Sequence, residues 1–525
     1  MQEGKELTIR AIFIGIIGSV IITTSSMYVA LKMGALPWPT VFVTIISMTV
    51  LKLFGNTNNR EINVAHTTMS AGAMVAGGIA FTIPGIFIAN PNATMNIPKL
   101  IGVSVSGVIL GVVFTALMRK FFIEEEELPF PMGVAAKNTI EAGDEGGKKA
   151  KLLFLTMGLA AIFTAVRDTF KFIPQQISSG FLATKNIFIG LWISPMAVGI
   201  GYIIGPLYTG VWFLGAVFSF FLFIPITVGT GIFDLASADA FRASLGIGLM
   251  VGTGFGVLIK GILPRLAGMV KSIFSSEGIR YILPIGFAAA TLILTSISGL
   301  NILTSILMIF GVWLATTMAA SLTGQTAINP MEIFGIIVLL FIKALGLETG
   351  ENLFLVAGTV AVAAGLCGDV FNDFKVGKIM GTKPKNQLIA ESIGALIGAF
   401  ISIGVMYVLY RTYGGFGEGT ELIAPQANIV AAMVSGLPNV WAFVGGLIIG
   451  LVLYLLKIPA MTLGIGVYLP MFISATVFLG GILSYVVAKF KSSKSEMGNI
   501  IASGLLGGEG ITAVIIAIIK MITTS

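Results

Sequence analysis

The side chains able to bind or move charge in this sequence are few, and they sit inside apolar runs. The first group is Asn63, His66, Thr67, Thr68 and Ser70, placed directly before Ala71-Gly-Ala-Met-Val-Ala-Gly-Gly78, with Pro84 breaking the run. A polar entry, a glycine-dense middle and a proline break predict a discontinuous or re-entrant helix beside a cavity. There Asn63, His66, Thr67 and Ser70 would offer hydrogen bonds to a polar substrate. Ala73 and Gly77, four residues apart, also fit a close-packed helix face, so the same stretch has a purely structural reading. His66 is the single histidine; it can serve as a structural hydrogen-bonder or as a proton relay.

The second group is Gln325, Asn329, Pro330 and Glu332. Asn-Pro before an apolar run reads as the start of a broken helix. Glu332 in its first turn either complements the helix dipole or works as a protonatable carboxylate. Gln325 and Asn329 would supply neutral hydrogen bonds to substrate. The third group follows Leu128-Pro-Phe-Pro-Met-Gly133: Lys137 and Glu141, at i and i+4, form either a solvated helix pair or part of a short cavity-lining helix. Asp369, Asn372 and Asp373 share one helical face. A cytoplasmic loop is the expected place for them, with Asp369 as an alternative proton carrier. Glu391 is expected near the membrane interface. Glu509, between Gly508 and Gly510, is expected to face the cavity and, like Glu141, to be a candidate proton-coupling carboxylate; Tyr468 is a further substrate contact.

Several chemistries are excluded. One histidine and one cysteine, Cys367, cannot build a zinc centre or a disulfide framework. No metal site of the protein's own and no cofactor is expected. There is no G-x-x-x-x-G-K-[ST] phosphate cradle and no H-E-x-x-H pair, and no nucleophile–base set, so the chain is not read as an enzyme or an ATP-driven pump. No potassium-filter motif or arginine-rich voltage helix is present. Energy for transport then has to come from an ion gradient; a passive channel is the lesser alternative.

These residues must be positioned by membrane-spanning helices. The chain has 525 residues, of which 56% are hydrophobic and 10% charged, with 66 glycines and a mean hydropathy of +0.98. Soluble domains carry about 25% charged residues. The apolar runs are continuous and long enough to span as helices, which excludes the alternating pattern of a β-barrel. They predict an all-α polytopic membrane protein of about 14–16 transmembrane helices, with 425–437 as a half-helix. The net charge of +7 sits in short loops rather than in a nucleic-acid-binding patch. Lys260, Arg265, Lys271 and Arg280 mark the strongest cytoplasmic loop.

An internal repeat organises the runs. Gly199-Ile-Gly-Tyr-Ile-Ile-Gly-Pro-Leu-Tyr-Thr-Gly-Val-Trp-Phe-Leu-Gly215 lies without a gap over Gly464-Ile-Gly-Val-Tyr-Leu-Pro-Met-Phe-Ile-Ser-Ala-Thr-Val-Phe-Leu-Gly480. Ile62-Asn63 matches Ile328-Asn329, and Ala243-Ser244 matches Ala502-Ser503, in the same order. Two repeated halves, 1–270 and 271–525, within one membrane domain are expected. Duplicated halves are how secondary transporters build two-sided access.

The motifs taken together resemble the oligopeptide transporter family, in particular its prokaryotic members, with similarity to the yellow stripe-like branch. They are Thr67 to Pro84, Leu128-Pro-Phe-Pro-Met-Gly133, the Asp373 to Gln387 stretch with Lys375, Gly377 and Pro384, Gly464 to Pro470 with Phe478-Leu-Gly-Gly481, and the Gly504 to Gly510 cluster. They run in order along nearly the whole chain. The resemblance implies a proton-coupled importer of small peptides, or of metal chelates of peptide-like ligands, in the prokaryotic cytoplasmic membrane. It implies about sixteen helices and a possible homodimer. This chain departs from the family's wording after Leu-Pro-Phe-Pro, where it carries Met132 and Lys137; a lysine there could attract an anionic group or a peptide C-terminus.

Overall fold

In the computed structural model the apolar runs are helices, and polar side chains fix where many of them begin. The structure describes residues 5–34, 36, 40–141, 146–184, 186–265, 282–326, 329–417, 419–490 and 495–524. Thr8 accepts the amide of Ala11 to open α1 (Ile9–Met33), which ends on left-handed Gly34. After α2 (Thr40–Leu53), Asn58 caps α3 (Asn59–Ala80). Turns over 81–84 separate α3 from α4 (Gly85–Ala89), so the break expected at Pro84 is present. Asn96 caps α5 (Ile97–Arg119), which widens into a π-type turn at Lys120–Glu125 before α6 (Pro131–Glu141).

Next come α7 (Gly146–Asp168), a two-stranded antiparallel ribbon of β1 (Gln176–Ser178) and β2 (Gly190–Trp192), and α8 (Gly180–Ala183) between the strands. Then α9 (Pro195–Ile204), α10 (Pro206–Val217), α11 (Ile224–Gly229) and α12 (Leu235–Gly256) follow. Of the basic loop expected over 260–280, residues 260–265 continue from α12 in π-type and 3-10 turns, and residues 266–280 lie outside the described residues. The chain continues through α13 (Ile282–Ser296), α14 (Ile302–Thr326), α15 (Met331–Ala344), α16 (Glu351–Met380), α17 (Pro384–Tyr413) and α18 (Pro425–Ser435). It ends with α19 (Val440–Leu455), α20 (Ala460–Tyr468), α21 (Met471–Phe490) and α22 (Ser495–Thr524).

Among the described residues eleven helices are long and apolar enough to cross a membrane, or up to twelve if one bent pair counts as a span. Shorter apolar helices at Val43–Leu53, Pro195–Ile204 and Pro284–Ser296 bring the number of apolar helices into the expected range. The helix expected from 425 is α18, and the Asn-Pro break separates α14 from α15.

The helices group into two compact units, each discontinuous in sequence. Unit 1 takes residues 1–151, 261–435 and 517–525; unit 2 takes 152–260 and 436–516. In unit 1, α16 is the axis: the apolar window of its 30 residues is wholly buried, and α3, α5, α14 and α15 pack around it. Small residues let the backbones meet. A methyl group added at Gly78 or Gly107 would run into Val362, and one at Gly365 into Met331. α1 and α17 close on α3 in the same way, with Gly394 against the carbonyl of Thr68 and Gly398 against Gly72.

Unit 2 is built from reciprocal pairs. α9 packs on α21 through Gly201 and Gly480, and α10 packs on α20 through Gly215 and Gly466. The partners are themselves two broken helices: α9 and α10 are separated at Gly205-Pro206, and α20 and α21 at Leu469-Pro470. α12 packs on α19 through Gly248 and Gly446, while Gly504 and Gly508 of α22 meet Thr156 and Met157 of α7.

Candidate functional site

Three helices of unit 1 bring their polar faces together at full burial. On α3, residues 63, 66, 67 and 70 follow the helical period, so Asn63, His66, Thr67 and Ser70 share a side. On α16, Asp369 and Asp373 stand one turn apart, and on α17, Gln387 and Glu391 do the same. Oxygens of Asp369, Asp373 and Glu391 lie within 4.8 Å of one another. All three residues are at most 3% exposed, and Glu391 is at 0%.

The hydrogen bonds are unevenly shared. His66 Nδ1 is 3.2 Å from Asp373 Oδ1, and Ser70 Oγ is 3.4 Å from Asp373 Oδ2. Asp373 is therefore bonded through Oδ2 and faces the imidazole of His66 through Oδ1. Gln387 Nε2 donates to the Asp373 carbonyl at 2.6 Å, which ties α17 to α16. Asn63 Nδ2 donates to Thr382 Oγ1 at 3.2 Å, in the turn between those two helices. By contrast, both carboxylate oxygens of Glu391, Oδ2 of Asp369, the hydroxyl of Thr67 and the side-chain carbonyl oxygens of Asn63 and Gln387 have no hydrogen-bond partner among the described residues. Buried polar groups are normally satisfied, so this set is prepared for something that binds or moves.

The Leu-Pro-Phe-Pro hairpin is clamped to the same helix. Asn372, between the two aspartates, accepts the amide of Gly133 through Oδ1 at 3.1 Å. Lys375 donates to the Leu128 carbonyl at 2.8 Å, and Phe130 stacks on Phe371 with centroids 5.6 Å apart. Glu127 and Phe130 take left-handed φ values of 48° and 45°. Bulky residues rarely adopt that region without being held there. Lys378 donates to Glu127 at 2.7 Å, and this hydrogen bond and charge hold the exposed Glu127 carboxyl below its usual range.

The sequence-predicted residues therefore separate. Asn63, His66, Thr67, Ser70 and Asp369 meet in the cluster. Asn329 binds the carbonyl of Ala364 on α16 at 2.9 Å, and Glu332 is buried in the first turn of α15. Lys137 is half-buried on α6. The side chains of Gln325 and Glu141 lie outside the described residues. Tyr468 and Glu509 belong to unit 2. Arg242 binds the Tyr468 carbonyl at 2.6 Å. Glu509 pairs with buried Arg167 at 2.9 Å and accepts from Ser194 Oγ and the Met196 amide at the start of α9, both at 2.9 Å.

Two expectations are corrected. Asp369 and Asp373 are not in a loop but deep in α16, and Glu391 is not interfacial but fully buried. Each carboxylate is costly where lipid excludes water, and bringing three together adds like-charge repulsion, of which His66 beside Asp373 can offset only part. Asp373, Gln387 and Glu391 were the members missed as site residues. The signal for them was the i, i+4 spacing on two consecutive helices.

A multi-pass helical protein that buries polar and charged side chains between closely packed, interrupted helices is built as a membrane transporter. The chain belongs to the oligopeptide transporter family: residues 6–520 match the family model described as OPT oligopeptide transporter protein. It is 24% identical to a putative oligopeptide transporter of Haemophilus influenzae, across 94% of this chain and 92% of that one. It is 23% identical to the probable metal-nicotianamine transporter YSL14 of Oryza sativa subsp. japonica, across 75% of this chain and 66% of that one. The metal-nicotianamine transporter YSL2 of Arabidopsis thaliana is 30% identical over 115 residues, 21% of this chain and 17% of that one. The protein is a transporter and not an enzyme, a multi-pass protein of the cell membrane.

Proposed function

We propose that this chain is a secondary active importer that carries small oligopeptides across the cytoplasmic membrane in symport with protons. The observation that carries the reading is the buried cluster of Asp369, Asp373 and Glu391 beside His66, set among partnerless hydrogen-bonding groups. Charge placed where lipid excludes water marks an ion or substrate path. The peptide assignment follows the bacterial relative's description. Asn63, Thr67 and Ser70 would bond peptide groups, and Lys137 would meet the C-terminal carboxylate. Glu332 would carry a proton. The absence of a nucleotide-binding motif in the sequence leaves an ion gradient as the energy source.

The test is uptake of radiolabelled tri- to pentapeptides into proteoliposomes with an imposed pH gradient. Uptake that rises with an inward gradient and disappears with a protonophore is expected. A second reading, import of metal complexes of peptide-like or siderophore-like chelators, is favoured by the plant relatives' names. Uptake of such a complex with no peptide uptake would replace the first reading with the second.

A further inference from the structure

The carboxylate cluster is over-charged for its surroundings. Three carboxylates share the site, and among the described residues the one ion pair they make is Asp373 with His66. A protonated His66 would offset one charge and leave two. Five other cations on these and the packed helices bond elsewhere. Lys375 and Lys378 bind the Leu128 and Ile123 carbonyls, Arg119 on α5 pairs with Glu124, and Arg10 and Arg60 pair with Glu61 and Glu6. Glu391 offers two oxygens and Asp369 one with no donor at all, each on a residue at least 97% buried. An ionised buried carboxylate without a partner is strongly unfavourable, and here Glu391 and Asp369 stand within reach of Asp373.

We propose that Asp369, Asp373 and Glu391 form an oxygen-coordinated binding site for a divalent cation such as Mn2+ or Ca2+. Two positive charges would supply what His66 leaves uncompensated when all three carboxylates are ionised. Ca2+ takes oxygen ligands at about 2.3–2.6 Å, so oxygens within 4.8 Å of one another can share one ion. Carboxylates without sulfur select such hard cations. His66 and Ser70, bound to Asp373, act as the outer partners that orient a ligating carboxylate. This goes beyond the uptake reading, because the cation is held by the protein itself rather than wrapped in a transported chelator.

The experiment is Mn2+ titration of the purified full chain in detergent at neutral pH, read by loss of the free-ion paramagnetic resonance signal, with Ca2+ as competitor. One saturable site, displaced by Ca2+, is expected. Asp369→Asn and Glu391→Gln should each weaken it at least about tenfold, while Glu127→Gln, an exposed carboxylate far along the hairpin, should leave it unchanged. Glu391→Asp keeps the charge but withdraws the oxygens by one methylene; it should weaken binding too, and guards against a charge-neutral variant that misfolds. An unsaturable titration of the native chain, or Asp369→Asn and Glu391→Gln proteins that bind as it does, overturns the proposal. Equilibrium binding is independent of uptake, so either reading can fail while the other stands.

Discussion

At the scale of single residues, the helical period exposed the cluster and depth concealed it. Residues 63, 66, 67 and 70 could be placed on one face from spacing alone, as could 369 and 373. The stretch after Asp369 nevertheless reads as a loop, because charged residues in a run normally mark water. What no local pattern carries is that α3, α16 and α17 meet, which turns three expensive carboxylates into one site. Glu391 tests that account. A buried substitution typically costs about 1 kcal/mol. Here Glu391→Gln removes a charge that has no donor, so in chelator-treated protein the melting temperature should hold or rise while uptake falls. A large loss of stability would show that Glu391 makes a contact the fold depends on. Glu332 is a different case, alone on α15. Glu332→Gln should weaken the pH dependence of uptake more than it weakens substrate binding, measured in parallel; unchanged coupling would remove Glu332 from the mechanism.

At the scale of elements, proline breaks and glycine positions were legible, and the partners they serve were not. The matched stretches 199–215 and 464–480 become α9–α10 and α20–α21, and four of the matched glycines, Gly201, Gly215, Gly466 and Gly480, are points of contact between them, while Gly199 meets α22 and Gly464 meets α12. Glycine density thus reported close backbone approach rather than flexibility. Glu509 shows the limit of this kind of reading. Among glycines late in the chain it looked like a cavity carboxylate, yet Arg167, 26 residues before Ile193, reaches both the Ile193 carbonyl and Glu509. In our reading it fastens α7, α9 and α22 and carries no proton. Breaking a buried ion pair from one side costs about 3–5 kcal/mol, whereas replacing both partners with apolar residues is often neutral. Glu509→Leu alone should therefore lower the melting temperature sharply, and Arg167→Met with Glu509→Leu should recover most of the loss. A double variant as unstable as the single would point to a role beyond mutual compensation, since Arg167 also holds Asp168.

At the scale of the whole molecule, the two sequence halves and the two spatial units cut the chain differently. Unit 1 is assembled from 1–151, 261–435 and 517–525 and unit 2 from 152–260 and 436–516, so each half supplies chain to both units. The consequence is energetic. In unit 1, α3 and α5 of the first half bury the axis helix α16 of the second; in unit 2, α9, α10 and α12 find their partners in α21, α20 and α19. Neither half contains a complete core, and the faces each would expose alone are lined with glycines and small side chains that only another helix can fill. Residues 1–270 and 271–525 expressed as separate chains should each fail to give a monodisperse particle in detergent. Co-expressed, they should purify as an equimolar complex that melts cooperatively and retains uptake. A monodisperse, cooperatively melting 1–270 fragment on its own would show that the first half has its own core, and would reverse this account of how the chain folds.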